Sequence, residues 1–171
     1  MKEFRGKGEI SHLSLGTKFV YSCFLLFCLC GLLTMIVMTV QRSGFSSLSG
    51  STYVLGDEGT GIYGKSSREL LEITHFHLFS VPVLLLILSH LFMLCSLKFK
   101  VKAWVSAAAF LGGIFYVAGP WVIYALGTSL APYGATVGIF GRLLLFGSIL
   151  IFCLVPLHEF WIKPRESKST T

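Results

Sequence analysis

Four long runs of apolar residues dominate the pattern of hydrophobic and polar positions along the chain. They cover residues 19–40, 73–97, 103–126 and 134–157. Each run is longer than the about 20 residues that a helix needs to cross the hydrocarbon core of a bilayer. A helix pairs all of its backbone groups internally, which a lone open sheet in lipid cannot do. The pattern therefore predicts a single-domain, all-α membrane protein that forms a four-helix bundle.

The longest connection between the runs covers residues 41–66, and it is rich in Gly and Ser. Such a composition predicts an irregular loop over one end of the bundle. The loop ends on Ser66-Ser67-Arg68-Glu69, a pattern typical of a capping box. We therefore expect the second helix to begin near Ser67 and to run to about Leu97. Residues 1–18 and 158–171 are expected to be tails outside the bundle.

Composition agrees with this pattern. Of the 171 residues, 54% are hydrophobic and 13% are charged, and the mean hydropathy is +0.76. Soluble domains carry about 25% charged residues, so an ordinary soluble enzyme is excluded. The net charge of +6 is not gathered on a soluble basic module, so no nucleic-acid partner is expected.

The distribution of basic residues predicts the orientation. Ten of the 14 Lys and Arg residues lie in segments 1–18, 98–102 and 163–168, against three in the first connection and none in the last. Because short cytoplasmic segments carry the excess of positive charge, both termini are expected in the cytoplasm and the loop 41–66 on the outer side. We expect a multi-pass protein of the bacterial inner (cytoplasmic) membrane.

Polar residues within or beside the apolar runs are the candidates for chemistry, because ionisable groups are costly inside a bilayer. They are Glu72, His75, His77 and His90 on the second predicted helix and Arg142 on the fourth. Arg142 is expected about 12 Å below the outer end of its helix, at a level between His77 and the middle of the second helix. A guanidinium at that depth favours an anionic partner.

The spacing of the histidines suggests a haem scaffold. His75 and His90 would lie about 22 Å apart along one helix and about 60° apart around it. One helix could then present an imidazole to each of two haems, with His77 as an alternative outer ligand. Arg142 would anchor a haem propionate, and Glu72 would accept a proton near the outer mouth. The leading hypothesis is a haem b subunit that transfers electrons between the membrane quinone pool and a partner on the outer face.

Two haems with two histidine ligands each need four histidines on facing helices, and this chain does not place four histidines in that way. His158 lies near the end of the fourth run, about 10 Å shallower than His90, so an inner pair of the two is strained. The outer half has no histidine outside the second helix. The outer haem would need His75 or His77 from a second copy in a homodimer, a ligand other than histidine, or an open sixth position.

Two further hypotheses use the same residues. The chain could be a non-catalytic membrane anchor or assembly subunit whose polar side chains serve helix association. Alternatively, Glu72 and His75, spaced i and i+3 with His77 nearby, could bind a single Zn or Cu ion at the outer mouth. The glycines of the third and fourth runs, including Gly134 and Gly138, predict close helix packing.

The segment from Glu69 to Phe79 contains Thr-His-Phe-His-Leu-Phe, and Pro82 and His90 follow it on the same predicted helix. It resembles a group of uncharacterised bacterial four-helix membrane proteins, some of which bear the label elongation factor-1 alpha. That label does not suit this chain, which has no GTP-binding loop. The resemblance implies an outer glutamate and a His-x-His mouth on the second helix, and it implies no activity. The same helix also resembles the two-histidine helices of the membrane cytochromes b.

Overall fold

The computed structural model describes residues 13–42, 47–59 and 61–162 of the chain. Most of them are helical, as expected. The elements are α1 (Leu15–Arg42), α2 (Ser47–Leu55), β1 (Gly56–Asp57), β2 (Ile62–Tyr63), α3 (Ser67–Met93) and α4 (Phe99–Trp161). The helices α1, α3 and α4 are long and apolar enough to cross a membrane.

The 63-residue element α4 is a helical hairpin. Gly127 interrupts it with φ 66° and ψ −171°, a left-handed conformation that favours glycine. The first arm (residues 99–126) and the second arm (residues 128–161) run antiparallel, because Gly119 lies against Gly138 and Gly134 lies against Ile123. The connection expected between the third and fourth runs is thus reduced to Gly127, since helix flanks it on both sides.

Glycines allow the two arms to touch backbone to backbone, which confirms the predicted close packing. A Cβ atom placed on Gly141 would lie 2.6 Å from the backbone nitrogen of Tyr116. One placed on Gly112 would lie 2.6 Å from the backbone nitrogen of Leu145. Any larger residue at either position would force the arms apart.

The predicted start of α3 is confirmed by its capping box. The Glu69 N–H donates to Ser66 Oγ at 3.2 Å, and the Ser66 N–H donates to Glu69 Oε2 at 2.8 Å. Both contacts satisfy backbone donors at the first turn of the helix.

The predicted end of α3 at about Leu97 is wrong, because the helix stops at Met93. Tertiary partners replace the next helical hydrogen bonds. Ser96 donates its backbone N–H to both carboxylate oxygens of Glu159 at 3.0 Å and its hydroxyl to Oε1 at 2.7 Å. Lys102 donates to the carbonyl oxygens of Met93 at 2.7 Å and Cys95 at 3.0 Å. These contacts satisfy the backbone groups that the ended helix leaves open.

The expectation of an irregular loop over residues 41–66 is also wrong. Where the structure describes this stretch beyond α1, at residues 47–59 and 61–66, it has α2 and two short paired strands, in which Gly56 of β1 pairs with Tyr63 of β2. A cluster of Val54, Ile123 and Ala135 packs α2 against both arms of α4. The apolar end of α2 is short, and the segment as a whole is rich in Gly and Ser. Its overall composition therefore did not indicate a helix.

The main apolar core joins α1, α3 and both arms of α4 in the middle of the bundle. Leu25, Leu88, Phe92 and Phe152 are fully buried there, and the rings of Phe92 and Phe152 lie 5.1 Å apart between centroids. We call the end that carries α2 the α2 end. The predicted C-terminal tail starts later than residue 158, because the second arm of α4 continues to Trp161 at the end of the bundle opposite the α2 end.

Polar side chains join the helices at the end of the bundle opposite the α2 end. Lys18 is buried and donates to the carbonyl oxygen of Phe160 at 3.3 Å. The indole N–H of Trp161 donates to Ser22 Oγ at 2.9 Å. Together with Glu159 and Lys102, these residues tie α1, the 94–98 connection and both ends of α4 together.

A matched pair of alanine substitutions tests the packing of the arms. Gly141→Ala is expected to lower the free energy of unfolding by about 1–3 kcal/mol, because the new methyl group meets the backbone of the first arm. Gly147→Ala, in the same arm with open space around it, is expected to raise stability by up to about 1 kcal/mol through helix propensity. Reversible unfolding of the purified protein in detergent measures both, and equal effects would contradict the packing described.

Candidate functional site

A cavity of about 450 Å³ lies at the α2 end, among all four helical elements. This size falls within the range of about 300–1,000 Å³ that is usual for small-molecule sites. Apolar side chains such as Met35, Val81, Leu84 and Ile123 form much of its lining. Polar side chains also contribute, and we call three of them, His77, Tyr116 and Arg142, the polar cluster.

His77 is held in one orientation by two hydrogen bonds. Its Nδ1 lies 2.7 Å from the carbonyl oxygen of Ile73, one turn earlier in α3. Because a carbonyl oxygen only accepts, Nδ1 carries a proton. In the neutral ring Nε2 is then an acceptor, and the Tyr116 hydroxyl lies 3.3 Å from it. The two rings meet edge to face, with centroids 5.3 Å apart.

The second arm of α4 brings Arg142 to the same place. Gly141 packs against the backbone of Tyr116, so the next residue lies beside that side chain. Arg142 is partly buried and interacts electrostatically with the Tyr116 phenol. Among the described residues that line the cavity, Arg142 is the one charged side chain, and its charge is positive.

A further hydrogen bond joins two helices beside the cavity. The indole N–H of Trp121 donates to Thr74 Oγ1 at 2.7 Å and so connects α3 with the first arm of α4. Thr74 lines the cavity and keeps its own hydroxyl hydrogen as a donor. Sequence reasoning missed Tyr116, Thr74 and Trp121 as site residues. Tyrosine and tryptophan near a helix end are as typical of the membrane interface as of a binding site.

The other candidate residues lie elsewhere. His75 is exposed on the far side of α3 and packs on Phe79 with ring centroids 5.2 Å apart. His90 is exposed in the last turn of α3. Glu72 is exposed and forms an ion pair with Arg68 at 3.2 Å. His158 is exposed at the opposite end of the bundle.

This placement separates the residues that the haem hypothesis joins. His77 and Arg142 share the cavity, but both ring nitrogens of His77 already have hydrogen-bond partners. His75 and His90 do not line the cavity that holds Arg142. The residues of one chain therefore do not fit a haem that combines either of these two ligands with a propionate on Arg142.

The single-ion hypothesis at Glu72, His75 and His77 lacks a converging set of ligands. His75 and His77 are about 200° apart around the helix, so they face opposite sides. Within residues 13–42, 47–59 and 61–162, no group of three His, Cys, Asp or Glu side chains could hold a metal ion.

Comparison with known proteins identifies a family. The model of a family described as a transmembrane helical domain matches residues 44–167, which is more than half of the chain. The chain belongs to this family. The matched segment contains α2, α3, the hairpin α4 and the whole polar cluster. No curated protein and no solved structure matches the sequence.

A double-mutant cycle tests the contact at the centre of the site. Interhelical hydrogen bonds in membrane proteins contribute about 0.6 kcal/mol on average. We expect His77→Phe and Tyr116→Phe to show a coupling energy of about that size in detergent unfolding. The same cycle with His75→Phe, two residues away on the other face, is expected to give a coupling energy near zero. A coupling energy near zero in both cycles would contradict the hydrogen bond.

Proposed function

We propose that the chain is a membrane subunit that crosses the bacterial inner membrane four times, with both termini in the cytoplasm. In this proposal each arm of α4 is one crossing, because each is longer than the about 20 residues required. Lys18 and Lys102 both lie at the end opposite α2, in keeping with the excess of basic residues on the cytoplasmic side. The α2 end then lies on the outer side.

We propose further that the cavity binds a quinone of the membrane pool. The observation that carries this proposal is the polar cluster on the wall of a largely apolar cavity. A quinone headgroup is a flat ring with two carbonyl acceptors, and it is joined to an apolar tail. Arg142 supplies guanidinium N–H donors for one carbonyl, and its positive charge favours the electron-rich oxygen.

The pair of His77 and Tyr116 serves the second carbonyl. In the neutral pair the Tyr116 hydroxyl donates to His77 Nε2. Protonation of His77 at Nε2 reverses this hydrogen bond, because the ring then donates from both nitrogens. The phenol hydrogen is thereby released towards a ligand oxygen. The Ile73 carbonyl holds the ring in place during the change, because its contact with Nδ1–H is the same in both states.

Quinone binding can be followed through tryptophan fluorescence, since Trp121 is hydrogen-bonded to Thr74, which lines the cavity, and quinones quench indoles. A benzoquinone with a short alkyl tail is titrated into the purified protein in nanodiscs. Arg142→Met is expected to weaken binding by about tenfold or more, because hydrogen bonds to charged groups contribute about 1.5–3 kcal/mol. His77→Ala is expected to weaken binding in the same direction.

Two matched variants serve as controls for this titration. Arg68→Met removes an exposed arginine whose partner is Glu72, and His90→Ala removes an exposed histidine in the last turn of α3 that does not line the cavity. Both should bind quinone as the unchanged protein does. Equal binding by Arg142→Met and Arg68→Met would contradict the proposal.

A second candidate retains the haem b of the sequence hypothesis, placed between two copies of the chain. The observation that favours it is that His75 and His90 are both exposed and about 60° apart around α3. Two α3 helices facing each other would supply paired imidazoles outside each bundle. Electrons could then pass between the quinone and an outer-face partner.

An absorption spectrum decides this candidate. Protein purified after expression with haem available is expected to show a Soret band that His75→Ala and His90→Ala remove and His77→Ala retains. A spectrum without that band would contradict haem binding. If quinone titration also fails, the remaining hypothesis is a non-catalytic anchor, for which these substitutions alter the recovery of partner subunits.

A further inference from the structure

The cavity is open at one side of the bundle. A groove of about 480 Å³ runs along the outside of α3, where His75, Phe79, Val83 and Ile87 line it. Three other residues of α3, Phe76, Ser80 and Leu84, line both the groove and the cavity. They are spaced four residues apart and form one stripe along the helix. Because Phe76 is 67% exposed and still lines the cavity, this stripe is the rim of an opening.

Helix α1 forms the opposite rim. Met35, Met38 and Thr39 line the cavity from that side. In the described part of the chain, α1 and α3 each pack against α4, and neither has the other as a principal packing partner. Between these two rims the cavity opens to the side of the bundle, which faces hydrocarbon in the proposed membrane orientation.

The groove is suited to an alkyl or prenyl chain. Its lining is mainly aromatic and aliphatic, and the Ser80 hydroxyl is already bonded to the Phe76 carbonyl oxygen at 2.9 Å. Pro82 lies within this stretch of α3 and has no backbone N–H to donate, a feature that bends helices. From His75 to Ile87 the groove extends about 18 Å along the helix.

We infer that the groove holds the apolar tail of the ligand, which enters the cavity sideways from the bilayer between α1 and α3. This inference rests on the proposed quinone site and adds a second subsite to it. The headgroup lies against the polar cluster inside, and the tail crosses the stripe of Phe76, Ser80 and Leu84 to reach Val83 and Ile87. The ligand class is thus a single-chain amphiphile with a flat hydrogen-bonding head.

The test compares two benzoquinones, one with a ten-carbon tail and one without a tail. Val83→Trp places bulk in the groove, where Val83 is exposed and does not line the cavity. This variant is expected to bind the tailed quinone about tenfold more weakly and the tailless one unchanged. Leu86→Trp places the same bulk on an exposed residue of α3 outside the groove and should change neither affinity.

A photoreactive group at the end of the tail gives a readout that needs no variant. Crosslinks in the unchanged protein are expected on Val83 and Ile87, located by mass spectrometry of the digested chain. Tailless binding that Arg142→Met weakens, with no effect of Val83→Trp and no crosslink on the groove, would overturn the tail subsite and leave the quinone site standing. Binding of neither quinone would overturn both.

Discussion

The contact between Gly141 and the backbone of Tyr116 is the constraint on which the site depends. A Cβ atom at Gly141 would lie 2.6 Å from the Tyr116 nitrogen, so the two arms of α4 meet there without an intervening side chain. This contact places Arg142 beside the Tyr116 phenol, and the phenol in turn reaches His77 on α3. Three residues that lie far apart in sequence therefore share one wall of the cavity. The left-handed turn at Gly127 makes the contact possible, because it lets the second arm reverse directly against the first.

The bilayer explains why most of the polar contacts that join helices lie in two separate layers. In hydrocarbon an unpaired polar group is costly, so such groups gather where partners or water are available. One layer is the polar cluster at the α2 end, and the other contains Glu159, Ser96 and Lys18 at the opposite end. Between them the core is made of side chains such as Leu88 and Phe152. The second layer holds backbone ends in place, whereas the first borders a space large enough for a ligand.

Local patterns gave correct predictions, and patterns that depend on distant partners did not. The capping box at Ser66 and Glu69 uses residues three apart, so sequence was sufficient to locate the start of α3. The end of α3 depends on Glu159, 63 residues away from Ser96, and the prediction overran to Leu97. Likewise, α2 is stabilised by packing of Val54 on α4, and its Gly- and Ser-rich composition suggested a loop. Tyr116 was overlooked because its partner lies on another helix.

The sequence by itself determined that the chain resides in a membrane, that it is mostly helical and that few polar side chains could form a site. The spacing of His75 and His77 also required the two residues to face opposite sides of α3. Periodicity fixes only the relative angle between positions on a helix. Which side faces the bundle is decided by packing, and here the contact with Tyr116 turns His77 inward. The same packing leaves His75 outside and brings Arg142 to His77. The tertiary structure therefore decided which of the candidate polar residues share the cavity.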